Sequence, residues 1–358
     1  MNYWAFPCGS GFSLQSFYPA GQKGFPLQSL TQKTKQYSVQ ELLQKYLNVF
    51  KKLRIDRSHG VAPHKPILLI SVLQAFYNNL IESQRIFITP ELVASFKANW
   101  SLLVTTKHDC RLSYPFYYLK SDKFWKLIPK IGFDNIDKIG SLVKSFSNLN
   151  AAVDCAVIED DLYYLMKDKR SNEVLTQFLL EEYFPSTKIN FSNSASGQQN
   201  LLNDIENKIL KEPSVEYRQE IKKLLEQNNE EEIFIRGSLF KREIPKIYNN
   251  TCCISGMKID ATINVSMIDA CHIVPFSESY DDTITNGIAL CPNLHRAFDR
   301  GLINIDENYK VIVSKTFKEE KTNYSIRVFD GIEIQLPKMK NYYPLIDNFR
   351  WHRINVFK

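Results

Sequence analysis

The stretch that most constrains this chain is residues 252–303, CCISGMKIDATINVSMIDACHIVPFSESYDDTITNGIALCPNLHRAFDRGLI. It carries a histidine after an alternating apolar-polar run (His272), an asparagine before a glycine (Asn286) and a histidine opening a short helix (His295). The intervals are fourteen and nine residues. These residue types supply a proton acceptor, a group to position it and a ligand for a divalent ion, which together suffice to hydrolyse a phosphodiester. The same groups would also serve as buried polar residues of an inactive fold.

The local pattern agrees with a compact unit. Ala261 to Ile273 alternates and is β-branched, so a strand or hairpin ending near His272 is expected. DDTITNG reads as a polar loop and IALC as a short strand. Pro292 suits the first turn of a helix that runs through Phe298 and stops at Gly301. His295 and Asp299 are four apart on that helix and share a face. The unit is expected to be β-β-α with its histidines facing across a small cleft.

These residues resemble the HNH nucleases of the ββα-metal type, in particular restriction-type members with "A-x-H-I-x-P…N-G-x-x-L-C-P-N-L-H-x-x-F-D-x-G-L-I". The resemblance covers about a quarter of the chain. It implies that His272 is the general base, that Asn286 orients it or fixes the loop, and that His295 is a metal ligand. It further implies Mg²⁺ or Mn²⁺, one per active site, and products with 5′-phosphate and 3′-hydroxyl ends. Two departures stand out. Cys271 occupies the place of an acidic ligand, and a thiolate suits hard Mg²⁺ poorly; Asp269 or Asp299 is expected to take that role. The structural zinc pairs are reduced to Cys252-x-x-Ser255 and Cys291-x-x-Leu294, so no structural zinc is expected, and Cys252, Cys253, Cys271 and Cys291 read as small buried residues.

The 358-residue chain is long enough for more than one core, with 44% apolar and 23% charged residues. A net charge of +6 is compatible with nucleic acid without requiring it. Seven cysteines without regular spacing suggest a reducing compartment, and the resemblance to restriction-type nucleases implies a cytoplasmic one of bacterial or archaeal type. No apolar run is long enough for a membrane span. Residues 1–36 read as a poorly packed arm, 37–185 as a mostly helical domain, 186–235 as a linker with bridging helices and 236–358 as the nuclease with a tail. The fold class is thus α+β. INFSNSASGQQN reads as linker, residues 131–184 as mostly helical, and RGSLFKREIPK as a phosphate-contacting arm or a solvated helix.

In the N-terminal part, Arg57, His59, His64 and Lys65 crowd a glycine-containing loop before a buried helix, a natural phosphate seat or an ordinary basic loop. Arg111, Tyr114, Pro115, Phe116, Tyr117 and Tyr118 form an aromatic cluster beside cations, which is core packing or an apolar groove. The pair "APHKPILLI … YPFYYL…FW" resembles the N-terminal sulfur-binding domain of type IV restriction endonucleases that recognise phosphorothioated DNA. That resemblance covers roughly residues 40–185. It implies that His64 and Lys65 engage the backbone near the modified phosphate, and that Tyr114 and Pro115 line a shallow apolar pocket for sulfur. Lys65 stands where relatives place arginine, and Tyr118 where they place a small residue. Arg111 is a base-reading candidate. At the C-terminus, His352 and Arg353 either approach DNA or staple the tail. The expected partner is double-stranded, phosphorothioate-modified DNA, cut by a homodimer or by sequential nicks. Rival readings are an HNH endonuclease reading another modification or a plain sequence, a non-catalytic DNA-binding protein, and an RNA-directed nuclease.

Overall fold

Helix α1 (Val39–Lys51) begins where a reciprocal cap forms, with the Ser38 hydroxyl accepting from Glu41 N and the Glu41 carboxylate accepting from Ser38 N. The structure is a computed structural model and describes residues 38–58, 60–133, 145–193, 197–259, 266–320, 322 and 325–358. The arm, His59, residues 134–144 with most of the amphipathic IDKIGSLVKSF segment, residues 194–196 of the expected linker and residues 261–265 of the expected strand lie outside the described residues.

Helix α2 (His64–Tyr77) is apolar on nearly every side and buried along its length. Strand β1 (Arg85–Phe87) leads to α3 (Pro90–Leu103), which starts with Thr89 capping Leu92 N and Pro90 at the first helical position. Helix α4 (Ser113–Tyr118) precedes β2 (Trp125–Pro129), and α5 (Phe146–Ala152) precedes β3 (Val153–Ile158). The three strands form an antiparallel sheet in the order β1-β3-β2. Strand β3 interrupts the helical reading of 131–184. Its VDCAVI is buried at four of six positions, so it lacks the alternation that marks a half-exposed strand.

Helices α6 (Asp160–Lys167) and α7 (Lys169–Tyr183) complete the layer around α1 and α2. The expected linker is instead largely helical, as α8 (Lys188–Asn193) and the start of α9 (Gly197–Lys211). Thr187 Oγ1 and Asn190 Nδ2 donate to Leu103 O and Leu102 O, so main-chain acceptors at the end of α3 dock α8. Tertiary partners outweigh the turn-favouring composition here.

Helix α10 (Ser214–Glu226) leads to α11 (Glu230–Ile247), the element that positions the site. The boundary between 235 and 236 falls inside α11, and Ser38–Lys358 form one contact unit. The RGSLFKREIPK segment is neither a phosphate arm nor a solvated helix: Arg236, Leu239, Phe240, Glu243 and Ile244 are buried. Arg242 donates to Glu91 on α3 and Glu206 on α9, which pins α11 to both.

Beyond it come β4 (Asp269–His272), α12 (Phe276–Ser279), β5 (Gly287–Leu290) and α13 (Pro292–Asp299). Strands β4 and β5 pair antiparallel with His272 opposite Gly287. The hairpin β6 (Ile303–Ile305) and β7 (Val311–Val313) and helix α14 (Ile346–Asn355) close the C-terminal end. The protein is α+β, with its ββα unit at the C-terminal end. Among the described residues, no helix is long and apolar enough to cross a membrane.

Candidate active site

Gly287 explains how the site is brought together. A Cβ there would lie 2.3 Å from Ile244 Cδ1 and 2.8 Å from Phe240 Cε2, so only glycine lets α11 settle directly onto β5. This contact lays the Phe240 ring flat on the His272 imidazole, with centroids 3.9 Å apart and planes 9° apart. The imidazole stays partly open to solvent, at 22% exposure.

His272 Nε2 lies 2.8 Å from Asp282 Oδ1, and that carboxylate is buried. A carboxylate only accepts, so Nε2 is the donor of this pair, and in the neutral tautomer with that N–H the lone pair lies on Nδ1. The neighbouring Asp281 is held apart from this work. One of its oxygens takes the Arg218 guanidinium on α10 at 3.2 Å, and the other accepts from Thr283 N.

Of the two roles the resemblance implies for Asn286, orienting the base or fixing the loop, the contact with the imidazole is made by Asp282. Asn286 is fully buried, and its amide closes the loop instead: Oδ1 accepts from Val274 N, while Nδ2 donates to Val274 O, Asp281 O and Ser279 Oγ. A buried amide has to be satisfied on both ends, and the loop carbonyls do this more completely than a ring nitrogen. DDTITNG, read as a polar loop, is thus mostly buried and ends in a short 3₁₀ turn. Two adjacent acidic residues ten positions after the histidine were the signal for Asp282.

His295 sits on α13 between two carboxylates. Its Nδ1 is 3.2 Å from Asp269 Oδ2, and its Nε2 is 3.5 Å from Asp299 Oδ2. The imidazole is about one quarter exposed and both acids about one half. Two accessible carboxylates flanking an imidazole form an oxygen and nitrogen donor set that fits a hard divalent ion. Burial pushes the neighbouring Cys271 thiol well above the ordinary cysteine range, and the charges of Asp299 and Asp269 push the same way. Cys252 and Cys291 lie under the 252–255 turn, where Ser255 reaches both sulfurs and the Cys291 thiol helps lower the Cys252 pKa to about 5.

A pocket of about 240 Å³ opens beside α2 and brings together His64, Lys65, Tyr114, Pro115 and Tyr118, with Arg54 as a lining residue that the sequence reading missed. Its expected cations are already engaged. Lys65 is buried, with Nζ 2.5 Å from Asp122 Oδ2 and 3.0 Å from Ser121 Oγ. Burial lowers its pKa even with Asp122 pulling upward. His64 Nε2 donates to Asp109 O at 2.9 Å, and burial lowers its pKa below the usual histidine value, which favours a neutral ring. Arg111 is exposed and reaches the Tyr114 hydroxyl at 3.4 Å, while Arg57 is exposed outside the pocket lining.

His352 staples the tail rather than facing solvent. Its ring stacks 3.8 Å from Phe298, and its nitrogens bond the Asn304 side chain and Phe298 O. Burial pulls its pKa down to about 4. Gly301 serves the same junction: it has φ +68°, and a Cβ would lie 2.0 Å from Val356 O. Arg353 bonds Glu307 and Ile305 O.

Residues 252–306 match the family described as HNH endonuclease. This stretch is an HNH endonuclease domain. The chain is also similar to a solved structure named "Modification dependent TagI restriction endonuclease", at 21% identity and a TM-score of 0.25. That match covers 33% of this chain and 37% of the other, so the chain spans little more than a third of that protein. No curated protein matches the chain.

Proposed function

We propose that the protein is a modification-dependent DNA endonuclease, hydrolysing phosphodiesters at its HNH domain with Mg²⁺ or Mn²⁺ and reading phosphorothioated DNA through its N-terminal half. The observation that carries the catalytic part is the Asp282–His272 pair, which leaves an open imidazole nitrogen in the same unit as Asp269, His295 and Asp299.

In this reading Asp282 holds the Nε2 proton, so His272 Nδ1 takes a proton from the attacking water. Phe240 fixes the ring plane, and Asn286 fixes the loop that brings Asp282 to the ring. His295 would hold the divalent ion, with Asp299 or Asp269 as its carboxylate partner. A bound ion supplies positive charge to the scissile phosphate and the leaving oxygen. The products are a 5′-phosphate and a 3′-hydroxyl.

The recognition part is supported by the pocket beside α2. Tyr114, Pro115 and Tyr118 offer an apolar wall to sulfur, which is more weakly hydrated than oxygen. The first turn of α2 has no side-chain cap, so the His64 and Lys65 N–H groups, with Arg54 in the lining and Arg111 beside Tyr114, can meet a phosphate's charge. The pairing of Lys65 with Asp122 favours a second reading, in which the pocket selects another modification or an unmodified sequence.

Cleavage of matched duplexes with and without phosphorothioate, in Mg²⁺ and in Mn²⁺, tests both parts. Cutting confined to the modified duplex supports the proposal, provided His272→Ala abolishes it. Equal cutting of both duplexes defeats sulfur recognition and leaves the nuclease standing. Binding without cutting points to a non-catalytic DNA-binding protein, and preferential cutting of an RNA counterpart would redirect the substrate assignment.

A further inference from the structure

The ββα centre holds one residue that a hard-cation site does not need. Cys271 lies two residues after Asp269 on β4, so both side chains leave the same strand face. Cys271 Sγ, a ring nitrogen of His295 and a carboxylate oxygen of Asp299 lie within 4.8 Å of one another. Cys271 Sγ has two acceptors in reach, His272 O at 3.5 Å and Asp299 Oδ1 at 3.9 Å.

The two carboxylates are not equivalent. Asp269 faces His295 Nδ1, whereas Asp299 faces Nε2 and shares the cluster with Cys271. An imidazole that gives one N–H to a carboxylate presents its other nitrogen to a metal, and the carboxylate fixes its orientation. Metal bonds of about 2.0–2.3 Å place tetrahedral ligand atoms roughly 3.5 Å apart. Asp299 Oδ2 is 3.5 Å from His295 Nε2 and Asp299 Oδ1 is 3.9 Å from Cys271 Sγ, so the carboxylate as a whole spans the two partners.

We propose that Cys271 Sγ, His295 Nε2 and Asp299 form a three-ligand site for a thiophilic dication such as Zn²⁺ or Co²⁺, with Asp269 orienting the imidazole from outside. The proposal rests on the reading of these residues as the catalytic metal site, and it adds that Zn²⁺ competes there with Mg²⁺ or Mn²⁺. Sulfur, nitrogen and oxygen donors together suit such ions and leave a fourth position open. The thiol proton passes to solvent as the sulfur–metal bond forms, and no electron is transferred.

Titration of the metal-free full chain with Co²⁺ tests this directly. The expected result is one Co²⁺ per chain with a near-ultraviolet thiolate-to-cobalt charge-transfer band, discharged by one equivalent of Zn²⁺. That band is lost in Cys271→Ser and in the more exposed variant His295→Ala, and it persists when Cys252 and Cys291 are both changed to serine. Asp269→Asn keeps the band but weakens Co²⁺ binding about 10–100-fold. Absence of Co²⁺ binding, bound Co²⁺ without a thiolate band, or a band surviving either Cys271→Ser or His295→Ala overturns the proposal. The readout is absorption by bound cobalt, so it stands apart from the cleavage assay that decides the nuclease reading.

Discussion

The pocket beside α2 and the ββα centre both gather histidines next to acceptors, and they treat them in opposite ways. In the pocket, His64 gives its N–H to a main-chain carbonyl and Lys65 is buried against Asp122, so these groups are satisfied within the fold. In the ββα centre, His272 has one nitrogen taken by Asp282 and the other left open, and His295 stands between two half-exposed acids. A polar side chain closed on all sides supports the structure, whereas one held on a single side is oriented and still able to react. The contrast separates the basic residues of these two sites by task, which residue type alone does not.

The largest expected effect tests the open side of His272. His272→Ala should lower the single-turnover cleavage rate about 10²–10⁴-fold, the usual worth of a general base. Asp282→Asn keeps an acceptor but removes the charge behind the Nε2 proton, and it should cost about 10–100-fold, a share of the same term. A His272→Ala protein that cuts at the wild-type rate would end the comparison.

The closed side is tested by Lys65→Ala. It leaves Asp122 buried without its cation, and breaking a buried pair costs about 3–5 kcal/mol. Urea unfolding should therefore move far more than DNA affinity does. The double change Lys65→Met with Asp122→Leu should recover most of the loss, because apolar replacement of a buried pair is often neutral. Unchanged stability with weakened DNA binding would move Lys65 back among the phosphate contacts.

The same contrast sets what was legible in the sequence. Strand β5, Pro292 at the start of α13 and Gly301 at its end follow from local chemistry, and the structure places them where the pattern predicts. Asp282 was hidden because DDTITNG has the composition of an exposed loop, and its burial depends on residues distant in sequence, such as Arg218, 63 positions before Asp281. Lys65 looked free because Asp122 is 57 positions away. Strand β3 lacked alternation because it is buried on both faces, and α8 was obscured by turn-forming residues that docking on α3 overrides. Local rules located the motif, and long-range partners decided which of its polar groups remain available.

His352 extends the closed class to the tail, and acid tests it. Its folded pKa of about 4 lies below the ordinary histidine value, so the unfolded chain binds the proton first as pH falls. Its contribution is complete above the unfolded pKa of about 6.5 and shrinks as pH drops toward 4, by about 3 kcal/mol over that window. Thermal unfolding across the range should show this slope, and His352→Gln should flatten it. Gly287→Ala should cost about 1–3 kcal/mol through overpacking against Ile244. It should also slow cleavage by shifting Phe240 off the His272 ring. Lost stability at an unchanged rate would mean that the stack does not position the base.

The smallest effect belongs to Arg111, an exposed cation beside Tyr114 of the pocket's aromatic wall. Its contacts are the Tyr114 hydroxyl at 3.4 Å and Asp109 at 3.6 Å, and surface pairs of this kind contribute about 0–1 kcal/mol. Arg111→Ala should therefore leave the unfolding midpoint nearly unchanged, within about 0.5 kcal/mol. If Arg111 meets a phosphate, DNA affinity falls for every sequence alike and the slope of log K against log salt flattens by about 1. If it reads a base instead, affinity falls by about 1–3 kcal/mol for one sequence only and the slope stays put. Measuring affinity at several salt concentrations on two unrelated duplexes distinguishes the outcomes. A variant that binds both duplexes as the wild type does would remove Arg111 from the interface and leave Arg54 as the exposed cation lining that pocket, beside the buried Lys65.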